Sequence, residues 1–183
     1  MFAYHNPINS IIMEENQKSS FKVALNYALI TAALLIVLDL IFYVMDTPYD
    51  SKIKYVAYLI YIGGIIWGQK VYRDAHSEGL ISYGKSFSVG FTVGFFAALI
   101  ATIYAFAFMK FFDPTMITKI LETSEQTLID RGDMTDDQIE QALSMTAKFT
   151  TPFMVSIMAL IFNTIAVTII SLVTSIFIKK EVN

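Results

Sequence analysis

Cysteine is absent from the 183 residues of this chain, and histidine occurs only as His5 and His76. A disulfide framework, a thiolate zinc site and a cysteine nucleophile are therefore excluded, and neither histidine has a partner at metal-ligand spacing. The sequence also lacks a serine–histidine–acid motif, a glycine loop that leads into a helix, and a long basic run. These absences predict a protein that is not an enzyme, holds no metal or cofactor, and does not bind nucleic acid.

Charged residues are also few, at 16% of the chain, whereas 55% of the residues are hydrophobic and the mean hydropathy is +0.56. These values lie well above those of soluble proteins. The formal charge of −3 says little as a total, because the distribution of charges matters more in a membrane protein. We expect a single membrane domain, residues 1–183, that is embedded in the lipid bilayer.

Four long runs of residues with few charges divide the chain. The third, Ser86 to Met109, has twenty-four uncharged residues between two lysines. That is roughly 36 Å of helix, enough to cross a hydrocarbon core of about 30 Å. The second run, 55–69, has only fifteen uncharged residues, and it either crosses with its flanking lysines snorkelling or forms a re-entrant or interfacial segment. The predicted spans are 21–45, 53–72, 84–112 and 151–178.

The first span follows a polar stretch, 1–20, that lacks the charged, apolar and small-residue order of a cleavable signal. We expect the span itself to act as an uncleaved insertion signal. Met13, followed by Glu-Glu-Asn-Gln-Lys, also has the pattern of a translation start, in which case residues 1–12 would be an extension of the natural chain.

Small residues recur at a spacing of one helical turn on the second and third runs. In lipid, helices associate where small side chains let their backbones approach, and Gly90 with Gly94 has the GxxxG form of that rule. The third span should therefore lie at the centre of the bundle. The predicted packing positions are Ser86, Gly90, Gly94 and Ala98 on the third span and Gly64 and Gly68 on the second.

Residues 113–149 form the only sizeable polar region. Asp113, followed by proline, has the form of a helix start, and Gly132 indicates a stop after a stretch of helically spaced apolar residues. Thr135 and Gln138 form a capping box before a second apolar stripe. The pattern predicts a hairpin of two amphipathic helices. Either the stripes close the two helices on each other and on the bundle, or they dock a partner.

Basic residues decide the orientation of the spans. Four spans put both termini on one side, and a cytoplasmic position gives that side seven basic residues against six outside. The eight acids of 113–149 also fit an exterior position. We expect a multi-pass protein of the bacterial inner (plasma) membrane with both termini cytoplasmic and the hairpin outside. The inner set is Lys18, Lys22, Lys70, Arg73, Lys85, Lys179 and Lys180.

Asp39 is the only charged residue well inside a predicted span, and an ionisable group in the membrane is costly. It shares a helix face with Ala28 and Ala32, which predicts that it points into the bundle. It is either a proton- or cation-responsive carboxylate of a transporter or a structural carboxyl that hydrogen-bonds to neutral groups. The neutral groups expected near its depth are Tyr61, Thr102, Tyr104, Ser156 and Asn163.

The fourth span carries a further row of hydroxyl groups. In hydrocarbon such groups bond to their own helix or across helices, so the row either joins helices or lines a hydrophilic path. Its members are Thr164, Thr168, Ser171 and Ser175.

Several of these positions also carry a resemblance to a known family. The matching pieces are Lys70, Tyr72-Arg73, Gly79, Ile81-Ser82-Tyr83-Gly84, Phe87, Gly90, Ile103-Tyr104, Pro114, Ser171-Leu172-Val173 and Lys179-Lys180. The chain resembles the bacterial family known only as domain of unknown function 4199, over roughly residues 20–180. The resemblance implies a four-span inner-membrane protein and assigns no catalytic or binding residue. It also implies an accessory role beside envelope glycosyltransferases that use polyprenyl-linked sugars.

The predicted fold is therefore all-α: a polytopic membrane protein with four transmembrane helices and an extracytoplasmic amphipathic hairpin between the third and fourth. We expect a non-enzymatic scaffold or accessory subunit of an envelope complex, with a protein partner or as a homo-oligomer. The alternative is a small transporter or channel that uses Asp39 and polar groups of the fourth span. A third interpretation is a protein that handles lipid or polyprenyl phosphates through Lys70, Arg73 and Lys85 at the inner surface.

Overall fold

The computed structural model describes residues 7–47 and 52–181, in which all regular structure is helical and no strand occurs. A 3₁₀ turn, Lys52–Tyr55, precedes α2, and a π-helical turn, Phe108–Phe112, extends α3. The predicted all-α fold class is confirmed. The helices are α1 (Pro7–Val44), α2 (Val56–His76), α3 (Tyr83–Ala107), α4 (Thr115–Arg131), α5 (Asp136–Phe149) and α6 (Pro152–Ile178).

Three helical segments are long and apolar enough to cross a membrane, namely Ser20–Val44, Tyr83–Phe112 and Pro152–Ile178. They coincide with the first, third and fourth predicted spans. α2 is not among them, because its uncharged run is short and its last two turns carry several charges. It also continues to His76, beyond the end at residue 72 that the sequence predicted.

α1 begins well before the predicted first span, at Pro7. The stretch 8–20 contains neither proline nor glycine, so nothing in it stops the helix from extending on its polar side. Residues 1–6 lie outside the described part of the chain, and with them His5 and half of the proposed extension before Met13. Residues 48–51, inside the turn predicted between the first two spans, also lie outside it.

α3 occupies the centre of the bundle, where it packs on α1, α2 and α6. A side chain on Gly94 would collide with Val167 of α6, and one on Gly90 would collide with Gln69 of α2. These two glycines therefore let α3 approach both neighbours closely, as the GxxxG rule requires. The buried face of α3 consists of Ser86, Val89, Gly90, Val93, Gly94, Ala97 and Ala98.

α2 packs on all three long helices, α1, α3 and α6, while Leu59 and Trp67 on its other side remain exposed. A Cβ added to Gly64 would meet the Thr31 side chain of α1, and one added to Gly68 would stand 2.7 Å from a methyl of Val93 on α3. Gly63, by contrast, has nothing within 4 Å of the position of an added Cβ. The structure thus places the two predicted packing glycines of α2 at helix contacts, whereas Gly63 makes no such contact.

An apolar layer fills the middle of the bundle. Ile65 of α2, Val93 of α3 and Val167 of α6 are each 0% exposed, and Ile65 and Val167 meet over Gly94. Apolar side chains packed at the density of a protein interior leave no room for water. The layer separates two polar regions of the bundle.

The two helices predicted within 113–149 are present and contact each other. The Asp113 carboxylate accepts hydrogen bonds from the Thr115 hydroxyl and, at 3.1 Å, from the Thr115 backbone N–H, which caps the start of α4. Gly132 ends α4 with a φ of 66°, the left-handed conformation that glycine adopts at low cost. Thr135 and Gln138 cap α5 reciprocally. The predicted stop and capping box are confirmed.

Candidate functional site

A cavity of about 360 Å³ lies where α1, α2, α3, α4 and α6 meet. Thirteen of its nineteen lining residues are apolar, and Met116 and Ile120 of α4 belong to them. The remaining six are the residues that the sequence places near the depth of Asp39, and the structure brings all of them together. The polar lining residues are Asp39, Tyr61, Thr102, Tyr104, Ser156 and Asn163.

Asp39 stands at the rim of this cavity. Its helix face is buried at Ala28 (0% exposed), Ala32 (1%) and Leu35 (7%), but Asp39, one turn later, is exposed. The face of α1 that was predicted to point into the bundle is thus packed as far as Leu35, and Asp39 continues it as an exposed residue that lines the cavity. At its level α1 borders a cavity instead of a packed helix, so the carboxylate lines an open space. An open space lets polar groups reach the carboxylate, whereas burial of its charge among packed apolar side chains would be costly.

Tyr104 is the lining residue with the most informative surroundings. Its hydroxyl oxygen is buried and finds no hydrogen-bond partner among the residues that the structure describes. Tyr61 is also buried, at 4% exposed, whereas the Ser156 hydroxyl donates to the Pro152 carbonyl of its own helix at 2.7 Å. A buried hydroxyl without a partner costs about 1–3 kcal/mol. Tyr104 thus lines the cavity as a residue whose polar atom is buried and uncompensated within the described part of the chain.

A second polar cluster lies beyond the apolar layer, and its central residue was not among the predicted site residues. Gln69 of α2 is 0% exposed, and its amide nitrogen donates to the Ser86 carbonyl of α3 at 3.1 Å and to the Ser175 hydroxyl of α6 at 3.0 Å. Gln69 was hidden inside an uncharged run. Its inward position was predictable from helical spacing, because Ile65 and Gln69 lie four and eight residues after Tyr61 and share its helix face.

The hydroxyl row of α6 is mostly satisfied within its own helix. Thr164 donates to the Leu160 carbonyl and Thr168 to the Thr164 carbonyl, each at 2.7 Å. Ser175 donates to the Ser171 carbonyl at 2.6 Å and also receives the bond from Gln69. Such local bonding lowers the cost of hydroxyls in an apolar environment. The row therefore joins helices at Ser175 and does not line the Asp39 cavity.

Of the basic residues predicted at the inner surface, Arg73 is held in a local network. Its guanidinium donates to both carboxylate oxygens of Asp74, at 2.6 and 3.1 Å, and to the Ile178 carbonyl at the end of α6, at 3.3 Å. The hydrogen bond from Arg73 lowers the pKa of Asp74, and the same bond raises the pKa of Arg73. Both groups are charged at neutral pH, and the positive charge of Arg73 is already paired.

Lys85 and Lys70 do not join Arg73 in one open anion site. The Lys85 ammonium donates to the Ser20 hydroxyl at 3.0 Å and lies 5.5 Å from the centre of the Tyr72 ring. Lys70 is exposed on α2. A phosphate that bound all three residues would have to displace these contacts, so the structure gives the phosphate-handling interpretation little support.

The arrangement defines a class of protein. Three helices are able to cross a membrane, a fourth is packed among them, and polar groups face a largely apolar cavity within the bundle. No group of three or more metal-ligating side chains occurs in residues 7–47 and 52–181. These features are those of a helical integral membrane protein with an internal amphipathic cavity.

The chain belongs to the family of proteins of unknown function DUF4199, whose model matches residues 26–180. The resemblance noted in the sequence is thereby confirmed. The matched range includes the Asp39 cavity, the apolar layer and Gln69. No curated protein and no solved structure matches the chain.

Proposed function

We propose that the chain crosses the bacterial plasma membrane four times, with both termini in the cytoplasm and the α4–α5 region outside. The packing of α2 on α1, α3 and α6, alongside the three helices that are long and apolar enough to cross, supports the fourth crossing. The uncharged part of α2, Val56 to Gln69, spans about 21 Å, and the lysines that flank it would snorkel to the two surfaces of the membrane. The charged final turns of α2 would then lie at the cytoplasmic surface, where basic residues are favoured.

The absence of cysteine makes this topology testable by single-cysteine labelling. Lys52→Cys precedes α2, Ser77→Cys follows it, and Thr127→Cys lies on α4. A membrane-impermeant maleimide should label positions 52 and 127 on intact spheroplasts and position 77 only after permeabilisation. Labelling of positions 52 and 77 from the same side would show that α2 is re-entrant and would refute the four-span proposal.

For the biochemical role, we infer a non-enzymatic accessory subunit that binds an amphiphilic ligand in the Asp39 cavity. The convergence of one carboxylate, two phenols, an amide and two hydroxyls on a mostly apolar pocket carries this inference. Asp39 is the single acid among the lining residues in the described part of the chain. The other polar lining residues include no second carboxylate, histidine or lysine that would form an acid–base pair with Asp39 near neutral pH, which favours binding over catalysis.

The walls of the cavity indicate the chemical class of the ligand. A cationic or hydroxyl-bearing head group would bond to the exposed Asp39 carboxylate, while an apolar body would lie against Leu35, Phe42 and Phe108. The volume of about 360 Å³ lies near the lower end of ligand pockets, so only the head group and a short apolar portion would be enclosed. We propose a polyprenyl-dependent glycosyltransferase of the envelope as the centre of the complex, the partner class expected from the sequence analysis.

Native mass spectrometry after extraction in mild detergent tests the cavity. The wild-type protein should retain an amphiphile with an amine or hydroxyl head group, and Asp39→Asn should reduce the retained fraction about tenfold. Asp46→Asn is the matched control, because Asp46 lies just beyond α1, does not line the cavity, and has a φ of 47° that asparagine tolerates. Equal retention by Asp39→Asn and the wild type would refute a ligand site at Asp39.

Recovery of a stable partner tests the accessory role separately. Gentle extraction from the native membrane should yield the chain in a complex with a second envelope protein. A lone monomer under conditions that preserve known membrane complexes would contradict this role, whatever the cavity binds.

A small transporter is the second candidate function. The cavity favours it, because a substrate site near the middle of a bundle is typical of transporters, and the layer of Ile65, Val93 and Val167 would close that site on one side. Proteoliposomes with an internal pH or amine-sensitive dye would then show flux that Asp39→Asn abolishes. No flux with the wild-type protein would leave binding as the function of the cavity.

A further inference from the structure

We propose that the groove between α4 and α5 docks a basic amphipathic helix of a partner protein. The proposal rests on the accessory role inferred above and names the surface and the chemistry of the contact. The groove encloses about 650 Å³ between two helices that are joined by only four residues, 132–135.

The floor of the groove is apolar and poorly covered by the protein itself. Ile139 is the one buried residue of α5, and α4 has none within the described chain. Ile129, which also lines the groove, remains 50% exposed. α4 touches the bundle through its first turns, where Met116 and Ile120 close the Asp39 cavity, so the groove side of the helix is left without a bundle neighbour. Apolar stripes at helical spacing are the surfaces that a third helix covers.

The rim of the groove has one sign of charge. Of its eleven lining residues four are acids and none is lysine or arginine. A helix with apolar residues on one face and lysine or arginine beside them would therefore match both floor and rim. At ~1.5 Å per residue, the 14 residues of α5 offer about 21 Å, the length of a partner helix of three to four turns. The acids are Glu122, Glu125, Asp136 and Glu140.

Two other occupants fit less well. A second copy of this chain would bring the same four acids against the rim, and like charges that face each other across an interface are unfavourable. An anionic membrane surface would be repelled for the same reason, since helices that lie on membranes are rich in lysine and arginine on the polar face. Charge complementarity thus selects a basic protein segment.

The test uses the full-length protein in nanodiscs of zwitterionic lipid and two labelled 16-residue peptides. One has leucine and lysine at helical spacing, and the other has glutamate in place of each lysine. Fluorescence anisotropy at physiological salt should show saturable binding of the lysine peptide beyond that of empty nanodiscs, and none of the glutamate peptide. Glu122→Lys with Glu125→Lys should weaken binding about tenfold. Asp130→Lys with Asp137→Lys makes the same change in net charge outside the groove and should change affinity less than twofold.

Disulfide trapping locates the contact, because the chain has no natural cysteine. Ser144 lines the groove and Ser124 does not. A peptide that carries one central cysteine should therefore crosslink to Ser144→Cys and not to Ser124→Cys. Equal crosslinking at both positions, or an equal effect of the two charge-reversal pairs, would refute the groove.

The other occupants give distinct results. Dimer formation that Glu122→Lys with Glu125→Lys alters, without peptide binding, would identify a second copy as the occupant. Protection of Ser144→Cys from a water-soluble maleimide when the full-length protein is in anionic nanodiscs, but not when it is in zwitterionic ones, would identify the membrane. Either result overturns the proposal. Absence of peptide binding, together with recovery of an intact native complex, would refute the groove and leave the accessory role standing. Peptide binding by a protein that is always recovered alone would support the groove and contradict the accessory role.

Discussion

Gly94 offers the most direct test of how the bundle packs. A Cβ on this residue would stand 2.9 Å from Val167 Cγ2, closer still to Val167 Cγ1, and 3.0 Å from Ile65 Cδ1. Carbon atoms normally approach to about 3.5–4.0 Å. Both neighbours are completely buried, and a valine in a helix has one strongly preferred χ1 rotamer, so neither side chain can turn away cheaply. We therefore expect Gly94→Ala to force α3 apart from α6 and α2.

The size of the effect follows from two opposing terms. Overpacking of a well-packed core costs about 1–3 kcal/mol, whereas exchanging glycine for alanine inside a helix gains about 1 kcal/mol. Gly63→Ala gives the same helix-propensity gain within α2, but an added Cβ there meets nothing within 4 Å. The propensity gain therefore cancels when the stabilities of Gly94→Ala and Gly63→Ala are compared. The free energy of unfolding of Gly94→Ala should thus be lower than that of Gly63→Ala by about 1–3 kcal/mol.

Thermal unfolding in detergent micelles measures this difference. At roughly 2–4 °C per kcal/mol for a chain of this length, Gly94→Ala should melt several degrees below Gly63→Ala. Gly84→Ala is a second control on α3 itself, since an added Cβ there also meets nothing within 4 Å. Gly94→Leu should lower the Tm further. Equal Tm values for Gly94→Ala and both controls would show that α3 does not pack on α6 through this residue.

Two further predictions concern the ends of the polar helices. Hydrogen bonds from Thr115, and to a lesser extent from Tyr43, lower the pKa of Asp113 in the folded protein. The ionised Asp113 carboxylate therefore stabilises the fold fully above the ordinary aspartate pKa of about 3.9. This stabilisation is lost as the pH falls through the lower pKa of the folded state. Acid titration of the Tm should therefore be steeper below about pH 4 for the wild type than for Asp113→Asn, and identical slopes would contradict the capping role. Thr135→Ala removes the capping box and should destabilise α5 by about 1 kcal/mol, visible as faster amide hydrogen exchange in 136–140, whereas Thr127→Ala at an exposed mid-helix position should not affect that exchange.

The sequence predicted the packing glycines and the members of the cavity for a simple physical reason. Helical rise fixes the depth of each residue along its helix, so groups at equal depth on neighbouring helices are able to meet. Asp39, Tyr61 and Tyr104 belong together on this ground alone, and the structure places them around one cavity. Gly90 and Gly94 follow in the same way from their spacing on one face of α3.

Features that depend on the angles between helices were beyond the sequence. Whether the inward face of α1 meets a helix or an open space at Asp39 depends on how the other helices pack around that level, which no local pattern encodes. The sequence also left open whether the α4–α5 stripes close on each other or dock a partner; the two helices contact each other, and Ile139 is their one buried residue in the described chain. Whether α2 crosses the membrane is also not decided by a local property, because its uncharged run is short and its packing depends on three other helices.

Gln69 shows how a buried amide can be tested for a hidden partner. Its nitrogen donates to the Ser86 carbonyl, which can only accept, so the orientation of the amide is fixed and its oxygen faces away. That oxygen has no hydrogen-bond partner in the described part of the chain. Gln69→Met would lose two interhelical bonds, each worth about 0.6 kcal/mol in a membrane protein, and would remove an unpaired oxygen that costs about 1–3 kcal/mol. The Ser175 hydroxyl would keep its bond to the Ser171 carbonyl.

The two terms nearly cancel, so we expect the Tm of Gln69→Met to stay within a few degrees of the wild type. Gln69→Glu should be much less stable at neutral pH and should recover as the pH falls, because it places an ionisable carboxyl in a completely buried site. A large loss of stability in Gln69→Met would contradict this reasoning. It would mean that the amide oxygen is paired, and a buried water shared with the Ser86 and Ser171 hydroxyls, which also lack partners among the described residues, is the group that its chemistry would allow.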